Sequence, residues 1–148
     1  MTIRLRAYAL LTFLTGAAIM TGCSQAPPAN LSPAAGTRVF EMRTYTAHPG
    51  KLADLQARFR DHTVRLFEKH GMTNVGYWVP QDAPRKDNTL IYIVSHESRE
   101  AAARNWKAFS SDPEWQKVRA ASEVNGPIVQ KGGVESVFLT SVDYSAIK

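Results

Sequence analysis

The order of the hydrophobic periodicities along the chain is the feature that most limits the fold it can adopt. Segments that alternate apolar and polar residues, as strands do, are separated by segments whose apolar residues recur every three or four positions, as in helices. The order is strand, helix, strand, strand, helix, strand, which predicts an α+β, ferredoxin-like βαββαβ domain with an antiparallel four-stranded sheet. The predicted strands are 38–46, 72–79, 88–96 and 134–144, the predicted helices are 49–70 and 99–110 with a restart at 112–113, and the loop before the last strand contains Gly126-Pro127 and Gly132-Gly133.

Local signals mark where the predicted helices begin and end. Pro49 suits the first turn of a helix, and Gly71 suits a C-terminal stop. Ser98 is a good N-cap residue, and Asp112 followed by Pro113 restarts a helix at once. We interpret three aromatic residues of the second helical region as packing between helix and sheet: Trp106, Phe109 and Trp115.

The third predicted strand is apolar on both of its faces. Leu90, Tyr92 and Val94 lie on one side, and Ile91 and Ile93 lie on the other. One layer of helices covers a single face of a sheet, so the second apolar face requires a partner surface. We therefore predict a homodimer in which two sheets face each other and enclose a cavity.

The N-terminus has the layout of a secretory signal. Arg4 and Arg6 precede an apolar run at 7–20, which is shorter than the roughly 20 residues that a spanning helix needs. The run is followed by Cys23, the only cysteine in the chain, and the sequence Met-Thr-Gly-Cys at 20–23 resembles a lipobox. The pattern predicts a lipoprotein acylated on the thiol of Cys23, with a plain signal peptide or a membrane-spanning helix as the alternatives.

The predicted lipid anchors the protein in the cell envelope. An acyl chain binds a bilayer by burying its methylene groups. Ser24 follows the cysteine, and resemblance to sorted lipoproteins then implies the outer membrane, facing the periplasm, in a host with two membranes. The predicted organisation is a signal peptide at 1–22, the lipidated cysteine with a Pro/Ala-rich tether at 23–37, and a folded domain at 38–148.

Charge and motif spacing exclude several classes of function. The chain has 18 basic and 13 acidic residues, and removal of Arg4 and Arg6 with the signal leaves 16 against 13. Because no basic run with interleaved aromatic residues occurs, we predict no nucleic-acid partner. The four histidines lack metal-binding spacing, and no GxSxG motif is present, so we predict neither a metal site nor a hydrolase triad.

Four short motifs in order carry a resemblance to a known family. They are 40–46 (FEMRTYT), 49–52 (PGKL), 76–78 (GYW) and 109–115 (F-x-x-DPEW). Together they resemble the NIPSNAP family over residues 39–144, nearly the whole mature domain. The resemblance implies membership of the dimeric α+β barrel superfamily, which agrees with the fold expected from the periodicities.

The resemblance implies little about chemistry, because NIPSNAP-like domains have no agreed enzymatic activity. The wider superfamily includes cofactor-free monooxygenases, haem-degrading enzymes and small-molecule isomerases, and a fold does not settle function. We therefore predict a small-molecule-binding homodimer without a cofactor. The alternatives are an enzyme of the oxygenase or isomerase type, cofactor-free or haem-dependent, and a non-catalytic scaffold lipoprotein.

The first strand supplies the candidate ligand residues. Glu41, Arg43 and Tyr45 share one strand face, opposite Phe40 and Met42. If Phe40 and Met42 pack under the helices, the three polar residues face the cavity between the two sheets, where they would bind an anionic or carbonyl-bearing ligand. The alternative is a set of ion pairs within or across the dimer. Three further side chains are candidates for the same cavity, with core packing as their alternative role: Trp78, Tyr92 and His96.

Overall fold

The structure, a computed structural model, describes residues 38–148. The predicted signal peptide, Cys23 and the tether lie outside the described residues. Within 38–148 no helix is long and apolar enough to cross a membrane. In chain order the elements are β1 (Val39–Ala47), α1 (Leu52–Arg58), a π-helical turn (Phe59–Thr63), α2 (Val64–Lys69), β2 (Thr73–Trp78), a 3₁₀ turn (Arg85–Asp87), β3 (Thr89–His96), α3 (Arg99–Ser111), α4 (Pro113–Ser122) and β4 (Val129–Leu139).

The four strands form one antiparallel sheet in the order β2-β3-β1-β4. The two central strands are therefore β1 and β3, and the β2–β3 pair is joined directly while the other connections pass through helices. This is the ferredoxin-like topology, so the fold expected from the periodicities is confirmed.

The helices pack on one face of this sheet. In the centre of that face, Glu41 of β1 lies opposite Val94 of β3, and Arg43 lies opposite Tyr92. Phe59 from the π-helical turn packs within aromatic contact of Tyr92, with ring centroids 5.2 Å apart. The buried apolar core between sheet and helices comprises Ala47, Leu52, Leu55, Phe59, Leu66, Phe67, Met72, Leu90, Tyr92, Val94, Phe109 and Ile128.

Side-chain caps begin both helices of the second helical region, as their sequence signals predict. The hydroxyl of Ser98 accepts a hydrogen bond from the backbone N–H of Ala101 at 3.1 Å, which satisfies one free donor at the start of α3. The carboxylate of Asp112 accepts the backbone N–H of Glu114 at 2.7 Å, and Pro113 occupies the first position of α4. The predicted break and restart between α3 and α4 is confirmed.

The last strand differs from its predicted position. We expected a loop at Gly132-Gly133 and a strand at 134–144, whereas β4 runs from Val129 to Leu139 through both glycines. Gly132 has a φ of +75°, and the β1–β4 register shifts beside it, between Tyr45 and Ala47. A side chain at Gly133 would place its Cβ 2.8 Å from the Thr46 carbonyl oxygen. The glycines therefore form a β-bulge inside the strand rather than a loop.

The second face of the sheet carries apolar side chains without a helical layer. Met42 and Ile93 lie on it as directly opposed partners, and Val137 lies opposite Met42 on the other side. Trp78 and Val137 are each 50% exposed. At one end of this open face, the chain after Leu139 folds back and forms a small pocket of about 240 Å³ together with Phe40, Val75, Ile93 and Leu139.

Candidate functional site

A buried carboxylate lies at the centre of the helix-covered face. The side chain of Glu41 is 2% exposed, and each of its oxygens has two partners. The Ser136 hydroxyl donates to Oε1 at 2.6 Å, and Arg43 Nε forms an ion pair with the same oxygen at 2.9 Å. Trp106 Nε1 donates to Oε2 at 2.6 Å, and His96 Nε2 lies 3.1 Å from it. These contacts come from β1, β3, β4 and α3, so the carboxylate joins three strands to a helix.

The surroundings of Glu41 keep it ionised. Burial by itself raises the pKa of this carboxyl group, but the hydrogen bonds from His96, Ser136 and Trp106 and the charge of Arg43 outweigh burial and lower the pKa to about 2. A buried charge is tolerated only when it is paired and hydrogen-bonded, and both conditions hold for Glu41.

His96 is held between Glu41 and α3. Its side chain is fully buried, and its Nδ1 lies 3.4 Å from Asn105 Nδ2, which also donates to the carbonyl oxygen of Gly71 at 2.9 Å. Because the Asn105 amide nitrogen is a donor, Nδ1 accepts from it and the Nε2–H group donates a hydrogen bond to the Glu41 carboxylate.

Arg43 links the carboxylate to the edge of the cluster. Its guanidinium carbon lies 3.9 Å from the centroid of the Trp106 ring, a cation–π contact. Its Nη1 donates to the Tyr45 hydroxyl oxygen at 3.3 Å. Burial alone lowers the pKa of Arg43, but Tyr45, Tyr92 and Glu41 raise it, so the guanidinium stays charged. The side chain remains 20% exposed, and that exposed part faces a surface cleft.

Two tyrosine hydroxyls complete the cluster. The hydroxyls of Tyr92 and Tyr45 are 3.1 Å apart, and their rings meet edge to face with centroids 5.3 Å apart. Burial raises the pKa of Tyr92 well above its usual value of 10.0 and keeps the phenol protonated. Tyr92 is fully buried, whereas Tyr45 is only half-buried and reaches the cleft.

The cleft lies between β1 and the α3–α4 helices. Its volume is about 490 Å³, within the range of sites for small organic ligands. Arg43 and Tyr45 contribute polar atoms from the sheet, and the helices contribute aromatic and polar side chains. The complete lining is Arg43, Tyr45, Trp106, Lys107, Phe109, Ser110 and Trp115.

The polar face of β1 lies on the opposite side of the sheet from the one that the predicted inter-sheet cavity required. Glu41, Arg43 and Tyr45 lie under the helices of their own chain, and Phe40 and Met42 point to the open face. The placement of the three polar residues in a cavity between two sheets is therefore wrong. Strand alternation separates two faces but does not say which one the helices cover, and here the donor on Trp106 pairs with the carboxylate on the helix side.

The other three candidate residues divide between the two faces. Tyr92 and His96 join the polar cluster. Trp78 lies opposite Ile91 on the open face, and its ring covers Gly76, where an added Cβ would meet it at 2.6 Å. Trp78 therefore lies apart from the polar cluster that contains the other five candidates, of which Arg43 and Tyr45 also line the cleft.

The structure also adds residues that the sequence did not single out as a site. Trp106 was interpreted as packing, but its indole N–H is a partner of Glu41, and Ser136 is a second one. The available signal was chemical, since a buried Trp N–H needs an acceptor and a buried carboxylate needs donors. Nothing in the sequence spacing connects residues 41, 106 and 136. Within 38–148, no three His, Cys, Asp or Glu side chains converge in the manner of a metal site.

The fold and the site define a ferredoxin-like α+β domain with a buried carboxylate cluster beside a cleft. The family model of NIPSNAP matches residues 40–146. That match covers most of the chain, which therefore belongs to the NIPSNAP family, as its motifs suggested.

Solved structures with this fold include other members of the family. A NIPSNAP family protein of unknown function from Agrobacterium tumefaciens str. C58 is 17% identical with a TM-score of 0.65, over 78% of this chain and 97% of that chain. An uncharacterised NIPSNAP-like domain protein from Burkholderia xenovorans is 18% identical with a TM-score of 0.62, over 74% and 90% of the two chains.

The fold is also similar to that of an enzyme. SnoaB, a cofactor-independent oxygenase from Streptomyces nogalater, is 16% identical with a TM-score of 0.50, over 76% of this chain and 99% of that chain. At these identities the likeness concerns the fold alone. None of the curated proteins compared with the chain matches it in sequence.

Proposed function

We propose that this protein is an envelope-anchored, homodimeric NIPSNAP domain that binds a small molecule in the cleft between β1 and the α3–α4 helices. The observation that carries the proposal is the position of Arg43. Its guanidinium is paired with Glu41, and its side chain, which is 20% exposed, lines a cleft of about 490 Å³ with aromatic walls.

The energetics of the cluster support a role other than stability. A buried ion pair loses hydration, and well-packed apolar residues in its place are often as stable or more stable. The Glu41–Arg43 pair nevertheless occupies the centre of the sheet, with Trp106 stacked on the guanidinium. A pair that holds a cationic group in one orientation at the floor of a cleft is what a ligand site requires.

The open face of the sheet supports the homodimer. Trp78 and Val137 are half exposed on it, beside the partly buried Met42 and Ile93, and isolated proteins seldom expose a large contiguous apolar patch. A second copy placed face to face would bury Met42, Ile93 and Val137 against the same residues of its partner, because a two-fold interface uses one patch twice. In this arrangement the ligand sites lie on the outer, helical sides of the dimer.

The envelope location rests on the N-terminal sequence, in which the apolar run at 7–20 is followed by Cys23. We expect Cys23→Ser to move the protein from the membrane fraction to the soluble fraction and to remove the mass of the acyl groups. Ser24→Ala is the control and keeps both properties. A Cys23→Ser protein that remains in membranes with an unchanged lipid mass would contradict the anchor.

The ligand is tested by native mass spectrometry of the full chain purified in mild detergent. We expect a wild-type dimer that releases a co-purified small molecule, and an Arg43→Gln protein that does not. Arg104→Gln, an exposed position on α3 outside the cleft, is the matched control and retains the ligand. An empty wild-type protein, or a bound mass that persists in Arg43→Gln, would refute a ligand at this cleft.

A further inference from the structure

We infer that the ligand of this cleft is a planar aromatic carboxylate, whose carboxylate lies on Arg43 and Tyr45 and whose ring lies along the aromatic wall. The inference rests on the proposed function, since it names the chemical class that the same site accepts. It follows from the direction of the hydrogen-bond donors, the charge of the lining and the shape of the cleft.

The hydrogen bond between the two tyrosine hydroxyls runs from Tyr92 to Tyr45. Tyr92 is fully buried and protonated, so its O–H needs an acceptor inside the protein. Within the described chain that acceptor is the Tyr45 hydroxyl oxygen, 3.1 Å away. Arg43 Nη1 donates to the same oxygen at 3.3 Å. A hydroxyl oxygen has two lone pairs, so both of those on Tyr45 are used.

The proton of Tyr45 is consequently the group that remains for a ligand. With both lone pairs occupied from the protein side, the Tyr45 O–H points away from Tyr92 and Arg43, and Tyr45 lines the cleft. Tyr45 thus presents a donor to the cleft rather than an acceptor.

Glu41 is not available to accept a hydrogen bond from a ligand in the cleft. Glu41 already accepts hydrogen bonds from His96, Trp106 and Ser136 and is ion-paired with Arg43. It is also buried beneath Arg43 and is absent from the lining of the cleft. The floor of the cleft therefore offers the guanidinium of Arg43 and the hydroxyl proton of Tyr45. Two neighbouring donors, one of them charged, match an acceptor-only oxyanion.

The charge of the residues that line the cleft also favours an anionic ligand. Arg43 and Lys107 are the two charged residues of the lining, and both are cationic. A carboxylate suits Arg43 better than an anion with a single acceptor atom does, because the two carboxylate oxygens match two guanidinium N–H groups.

The walls of the cleft select a flat, apolar body behind that carboxylate. Three aromatic rings lie next to one another along the cleft: Trp106, Phe109 and Trp115. The centroid of the Phe109 ring lies 5.9 Å from that of Trp106 and 4.5 Å from that of Trp115. Aromatic side chains pair with other aromatic rings in offset or edge-to-face arrangements. The volume of about 490 Å³ accommodates one or two fused rings.

The test uses isothermal titration calorimetry on the full chain in detergent with 1-naphthoate and its uncharged analogue 1-naphthamide. We expect 1-naphthoate to bind at least about tenfold more tightly than 1-naphthamide, as expected for hydrogen bonds to a charged group. Arg43→Gln and the more conservative Tyr45→Phe should each weaken 1-naphthoate about tenfold or more and leave 1-naphthamide nearly unchanged. Arg104→Gln and Tyr144→Phe, at exposed positions outside the cleft, are the controls and retain wild-type affinity.

Two outcomes would overturn the inference, and they separate it from the proposed function. Equal affinity for the two probes, with both weakened by Trp115→Leu, would leave the cleft as a ligand site but refute the carboxylate class. Failure of wild-type protein to bind 1-naphthoate at about 1 mM would refute the class as well. The co-purified mass in the native spectrum then decides on its own whether the cleft binds any ligand.

Discussion

The two faces of the four-stranded sheet differ in the side chains that they bury, because the helix side encloses a charged cluster within its apolar core. On the helix side, Glu41 and His96 are buried with full sets of partners. On the open side, Trp78 and Val137 are apolar and half exposed. The polarity of a strand residue therefore does not determine its burial. What determines it is whether another element supplies a matching partner.

The two faces suit different roles within one sheet. The helix side holds charged and hydroxyl groups in fixed positions beside a cleft, which suits recognition of a ligand. The open side has an apolar patch around Met42, Ile93 and Val137, next to Thr44 and Glu135 on the same face, and the patch suits association with an identical surface. The proposed ligand site and the proposed dimer interface therefore lie on opposite sides of β1 and can be altered separately.

Removal of the buried carboxylate has the largest expected effect. Glu41→Ala leaves the donors of Ser136, Trp106 and His96 and the charge of Arg43 without their acceptor. We expect a loss of about 3–5 kcal/mol in the free energy of unfolding, measured by urea denaturation. The control Glu97→Ala, at an exposed position just after β3, should change it by less than about 0.5 kcal/mol. Equal effects would mean that the cluster is not a buried network.

The contribution of Glu41 also depends on pH. Its pKa is lowered from 4.5 to about 2, so its ionised form stabilises the fold above pH 4.5 and this stabilisation is lost as the pH falls toward 2. We expect the difference in unfolding free energy between wild type and Glu41→Gln to be largest at about pH 7 and to shrink below about pH 4. A difference that stays constant over this range would show that Glu41 is not held as a carboxylate.

A charge introduced on the open face tests whether that face is the dimer interface. Val137→Lys places two like charges in the centre of a face-to-face dimer, so we expect the dimer dissociation constant to rise at least about a hundredfold. Sedimentation velocity measures the change. Val124→Lys, at a position 78% exposed and outside the sheet, is the matched control. Ligand binding at the cleft should survive in the Val137→Lys monomer, because the cleft is built from one chain.

The smallest effect is expected for the tyrosine pair. Tyr92→Phe removes the hydroxyl that donates to Tyr45 and should cost about 0.5–1.5 kcal/mol in the free energy of unfolding. Tyr144→Phe, at a residue that is 88% exposed, should change it by less than about 0.5 kcal/mol. A loss no greater than that of the control would contradict the assignment of Tyr92 as a buried donor.

Local signals predicted the architecture well because they act over a few residues. Alternation in β1, the cap residues Ser98 and Asp112, and the order of the elements each follow from backbone preferences that neighbours decide. The same local signals did not predict the position of β4. Gly132 and Gly133 are typical of a loop by themselves, and only the approach of the Thr46 carbonyl oxygen makes them a bulge within a strand.

The first helical region illustrates the same limit. Its apolar spacing predicted a single helix at 49–70, whereas the structure inserts a π-helical turn between α1 and α2, in which the Thr63 hydroxyl donates to the Arg58 carbonyl oxygen at 3.1 Å. Arg58 itself is buried and donates to Glu123 at 2.9 Å. That partner lies 65 positions away in the chain, and hydrophobic periodicity relates only residues a few positions apart, so the contact could not be predicted from it.

The sequence by itself determined the order of strands and helices, the two sets of side chains on each strand and the membership of the NIPSNAP family. These follow from periodicity, capping and short motifs, which are local properties. The tertiary structure decided which strand face the helices cover, and with it the place of Glu41, Arg43 and Tyr45. That choice depends on pairing a carboxylate in β1 with an indole donor in α3 and a hydroxyl in β4, contacts between residues 65 and 95 positions apart.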